Sequence, residues 1–87
     1  MAPHKHIILG VHVTDRLNDA AKVQAVLTEF GCNIKTRIGL HDISGTACSG
    51  TGIMLLEISN SEDVAKKIAA ALDAVGGVQT KMMVFAH

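Results

Sequence analysis

Residues 6–31 read HIILGVHVTDRLNDAAKVQAVLTEFG, and the spacing of the apolar residues changes partway along. Ile7, Leu9, Val11 and Val13 alternate, which lines one face of a strand. His6, Ile8, Gly10 and His12 occupy its other face. A polar turn, Thr14-Asp15-Arg16, follows. From there Val23, Val26, Leu27 and Phe30 recur at intervals of three and four, one face of a helix running from about Asn18 to Phe30. Asn18 or Asp15 suits its start, and Gly31 stands where a left-handed residue would end it.

The rest of the chain repeats the theme. Asn33 to His41 reads as a strand with Ile34, Thr36, Ile38 and Leu40 on one face and Lys35, Arg37 and His41 on the other. Charge along one face suits a sheet edge. Asp42 to Thr51 is small and Gly-rich and reads as a loop rather than a two-residue hairpin. Gly52 to Ile58 is a strand apolar on both faces. Ser61 to Val75 is a second helix with Val64, Ile68, Ala71, Leu72 and Val75 inward. Asn60 or Ser61 caps it, Glu62 and Asp63 complement its positive end, and Gly76-Gly77 stops it. Val78 to Phe85 is the last strand.

Strand, helix, strand, strand, helix, strand is the order of a ferredoxin-like βαββαβ sandwich, an α+β fold. Right-handed crossovers give a four-stranded antiparallel sheet in the order 4-1-3-2, with both helices on one face. The two most apolar strands, first and third, then lie in the centre. The other face would expose Ile8, Met54 or its neighbours, Met83 and Phe85. An open apolar face on a small domain marks an interface, so the expected assembly is a homo-oligomer, a dimer or tetramer, joined through that face or a sheet edge.

Composition narrows the function. The chain has 87 residues, which fits a single domain spanning 1–87. Lysine plus arginine and aspartate plus glutamate number 8 each, a balance that argues against a nucleic-acid surface. Aromatic residues make up 2%, without Trp or Tyr to anchor a binding hot spot. Two cysteines do not make a disulfide scaffold, and no apolar run approaches the roughly 20 residues needed to span a bilayer. A reduced, cytoplasmic setting is the expectation.

His41 and Cys48 are the sharpest candidate pair. They flank one chain reversal, and imidazole and thiolate suit Ni²⁺, Zn²⁺ or Cu; two ligands need more from a subunit interface. His4, His6 and His12 share a strand face, but only the first two, about 6.6 Å apart, could clamp one ion. No Ser-His-Asp, Cys-His or paired-carboxylate arrangement emerges, so no enzyme is expected, and no motif names a cofactor.

Asp15-Arg16 after the first strand resembles the opening of the first helix in ACT-type regulatory domains, with Leu17-Asn18 in place of their Pro-Gly. Arg37-Ile38-Gly39 at the end of the second strand and Gly76-Gly77-Val78 before the last resemble the ACT-like iron-only hydrogenase system regulators. That resemblance implies a homo-oligomeric regulatory module whose small effector sits near Asp15, Arg16, Arg37 and Gly39 at a subunit interface. More distantly, His41 and Cys48 resemble the strand-end metal ligands in the C-terminal domain of nickel-responsive repressors, although Gly39 stands where that pattern has a second His. A metal-responsive protein and a structural accessory subunit of a larger complex are the alternatives.

Overall fold

The computed structural model describes residues 5–14, 16–44, 47–59 and 61–86, with the backbone alone at 16–18, 40–44 and 47–51. Strand β1 (Lys5–Val13) leads into helix α1 (Arg16–Glu29), a single 3-10 turn (Gly31–Asn33), β2 (Ile34–Ser44), β3 (Ala47–Ile58), α2 (Glu62–Asp73) and β4 (Val78–Ala86). The strands form one antiparallel sheet in the order β2-β3-β1-β4. This is the predicted ferredoxin-like order, read from the opposite edge.

Alternation decides which face is covered. Ile7, Leu9, Val11 and Val13 of β1 are buried, as are Leu56 and Ile58 of β3, and they pack with Val23 and Leu27 of α1 and Ala65, Ile68 and Leu72 of α2. Both helices therefore cover one face. Each fully buried aliphatic side chain contributes about 1.5–3 kcal/mol relative to exposure, and β1 and α2 supply the most completely buried of them. Met54 lies on the covered side against the core; its neighbours Ile53 and Leu55 pair with His12 and Gly10 on the open side.

Helix starts and stops follow local chemistry, with two corrections. Ser61 caps α2, its Oγ accepting from the Val64 N–H at 3.3 Å. Asn18 lies inside α1 and cannot cap it. Gly31 does not turn left-handed. The chain leaves α1 through the 3-10 turn, with Phe30 N–H donating to Val26 O and Asn33 N–H to Phe30 O. Among the described residues only Gly77 has a left-handed backbone, with φ at 81°.

Within the stretch from Asp42 to Thr51, residues 42–44 and 47–51 are strand rather than loop. β2 runs through Ser44 and β3 begins at Ala47, and these two residues pair across the hairpin. Backbone pairing needs no apolar alternation, so Ser, Thr and Gly extend a ladder that hydrophobic periodicity does not register. A second departure comes from an irregularity in β2 between Ile34 and Thr36. The extra residue moves Ile34 to the core side, while Thr36 and Ile38 continue on the open face and Arg37 turns toward α1.

Candidate functional site

One row of backbone pairs crosses an end of the sheet: His41 of β2 opposite Gly52, Gly52 opposite Val13, and Val13 opposite Val78. The Thr14 N–H and Oγ1 both donate to Gly77 O at 2.8 Å, which ties the β1–α1 connection to the loop before β4. α1 begins two residues later, at Arg16. The start of α1 and the base of the β2–β3 hairpin therefore share this end, two strand spacings or roughly 10 Å apart.

Asp15 lies outside the described residues, as do the side chains of Arg16, His41 and Cys48, all of His4 and His87. The backbone nonetheless places His41 and Cys48. Cys48 pairs with Ile43, two positions beyond His41, so they are diagonal neighbours across the hairpin, with Cα atoms roughly 7–8 Å apart in a regular antiparallel pair. The ladder is irregular between His41 and Ile43.

Arg37 and Gly39 form a separate locality. Arg37 Nη2 donates to Gln24 Oε1 of α1 at 2.7 Å. Beside it, a groove of about 220 Å³ runs between α1 and β2, lined by Leu27, Gly31, Ile34, Lys35, Thr36 and Arg37. Gly39 has open space where a side chain would stand. Arg37 precedes His41 by four strand positions, about 13 Å, and Gln24 follows Arg16 by eight helical positions, about 12 Å. The structure thus sets Arg37 with the groove and the backbone of Arg16 with the sheet end. The groove pairs two cations with an apolar floor of Leu27 and Ile34, a chemistry suited to an anion with an apolar body.

Sequence reasoning missed the clasp at Gly77. A Cβ there would stand 2.8 Å from Thr14 Oγ1 and 2.9 Å from Asp19 Oδ2. Asp19 is buried at this junction, and only its position in the first turn of α1 hinted at a role. Among the described residues no group of three or more His, Cys, Asp or Glu side chains is gathered to hold a metal, and no helix is long and apolar enough to cross a membrane.

No family model matches this chain, and no curated protein does. Solved structures do. An uncharacterized protein from Thermotoga maritima is 23% identical, with a TM-score of 0.78 over 93% of this chain and 98% of that one. A PII-like signaling protein from Thermus thermophilus is 15% identical, with a TM-score of 0.67 over 100% and 93%. CPII, a nitrogen regulatory PII-like protein from Thiomonas intermedia, is 8% identical, with a TM-score of 0.59 over 100% and 99% in its complex with ADP, AMP and bicarbonate. At these identities the likeness establishes the ferredoxin-like fold, and function has to be argued from the site.

Proposed function

We propose that the chain is a small, non-catalytic regulatory module of the ACT-like or PII-like kind, which binds an anionic effector and assembles with copies of itself. The observation that carries the reading is the groove between α1 and β2, where Arg37 and Lys35 stand beside Leu27 and Ile34. Its supports are the fold shared with PII-like proteins and the adenine nucleotides bound by one of them. An adenine nucleotide has the required character, a flat apolar ring joined to phosphates that a guanidinium grips in two places. Asp15, Arg16 and Gly39 belong to the same reading as residues that a neighbouring copy brings to the ligand. The effector would act by preferring one assembly state over another.

Isothermal titration calorimetry with ADP, AMP and ATP tests it. Binding that weakens at least tenfold in Arg37→Ala supports the groove. Saturation with no heat for any of the three removes nucleotides and leaves other anionic metabolites to be screened by thermal shift.

A second reading has one observation in its favour, the diagonal register of His41 and Cys48. Diagonal neighbours are close enough for an imidazole and a thiolate to share one ion, with further ligands from a second copy. Reduced protein titrated with Co²⁺ would then show thiolate-to-metal absorption that disappears in Cys48→Ala. Absence of such bands retires the metal reading.

A further inference from the structure

The face of the sheet that no helix covers carries Ile8, Ile38, Ile53, Leu55, Met83 and Phe85, by the parity of the strand pairs. Ile38, Ile53, Met83 and Phe85 keep 50%, 41%, 52% and 54% of their surfaces open to solvent. Phe85 is one of only two phenylalanines in the chain. In the middle of this face Gly10 leaves a gap. The depression over it has a volume of about 170 Å³ and is lined by Gly10, Val11, His12, Ile53, Gln79 and Lys81.

We infer that this face is covered by the same face of a second copy. The inference deepens the proposed function by choosing face over edge, and it rests on that reading only for the expectation of self-assembly. Charge and shape are both self-complementary. Lys81 pairs with Gly10 from β4, and Glu57 pairs with Ile8 from β3, so the two charges flank β1 one row apart. Consider a two-fold axis parallel to the sheet, passing over β1 between Ile8 and Gly10. At ordinary strand spacings of about 4.8 Å and rows of about 6.7 Å, an axis tilted to bring Lys81 of each copy over Glu57 of the other also carries Leu55 to within about 3 Å of the point above Gly10. The same operation thus joins two ion pairs and fills both depressions. It also lays Met83 beside Ile8. This is the isologous pattern of a closed dimer. The four-stranded face supplies roughly 500 Å² per copy, close to the 1,000 Å² total that a specific interface needs.

Sedimentation velocity of the full chain without ligand, from low to high micromolar concentration, tests the interface. The wild type should pass from monomer to dimer. Gly10→Val should weaken association at least tenfold while folding normally, since a Cβ at Gly10 meets only ordinary contacts within its own chain, the nearest being Lys81 O at 3.7 Å. Lys81→Glu should weaken it similarly, and adding Glu57→Lys in the same chain should restore dimers to within a few-fold of wild type. Val84→Lys, on the other side of β4, should change nothing. A monomer at every concentration overturns the inference. So does a dimer that tolerates Gly10→Val and Lys81→Glu but falls apart with Thr36→Pro, which would show pairing along the β2 edge. Because no effector is present, failure of nucleotide binding leaves this result intact.

Discussion

At the scale of single residues, Gly77 is the position with least freedom. Its left-handed backbone costs a side-chain-bearing residue about 1–2 kcal/mol, and Thr14 and Asp19 leave no room for a Cβ. Gly77→Ala should therefore destabilise the fold by about 2 kcal/mol or more, read as a lower urea midpoint. Gly76→Ala, where a Cβ meets nothing within 4 Å, should leave the midpoint nearly unchanged. The Lys5 ammonium lies 2.6 Å from Glu62 Oε1, and both side chains are about one-third exposed. The hydrogen bond and charge of Lys5 hold the Glu62 carboxyl below its ordinary value of 4.5. The folded form thus binds its proton less readily than the unfolded chain, so the pair stabilises the fold above that value. The contribution fades as pH falls from there through the depressed folded value. Urea midpoints of wild type and Glu62→Gln should accordingly differ at neutral pH and converge in acid.

At the scale of elements, α2 is fixed by its cap and its inward stripe. Ser61→Ala removes the side-chain acceptor for the Val64 N–H and should lower stability by about 1 kcal/mol, with the loss seen in thermal denaturation followed by circular dichroism. The alternation of Ile7, Leu9, Val11 and Val13 and the helical stripes made the four strands and both α-helices legible, because side chains that pack on one core must recur with the period of their backbone. Three features escaped. The continuation of β2 and β3 past His41 and Gly52 is written in small residues that carry no hydrophobic period. The irregularity at Lys35, which moved Ile34 to the core side, adds one residue without any compositional mark. The clasp at Gly77 reaches back to Thr14, 63 residues away, and to Asp19 beside it, beyond any local pattern. Of the candidate site, Lys35 and Arg37 were legible as the charged face of an edge strand, but the groove beside them was not. The distance of Arg37 from the start of α1 at Arg16 was not legible either, because that depends on where α1 lies across the sheet.

At the scale of the molecule, a chain that spans 50 Å in its longest dimension but only 17 Å in its shortest has little interior for its surface, and a partner is the ready source of more. If the open face is shared, the thermal midpoint should rise with protein concentration by mass action, while that of Gly10→Val should stay flat. Differential scanning fluorimetry across a dilution series measures both. The placement of β1 has a further consequence, in time rather than in space. Its two neighbours in the sheet are β3 and β4, the third and last strands of the sequence. Residues at the start of the chain must therefore wait for Val78–Ala86 before the central strand is paired on both sides. Contacts so distant along the sequence make folding slow relative to a helical bundle of this size. During synthesis β1 is made before every element it packs with, and its pairing with β4 is the last of the sheet to form.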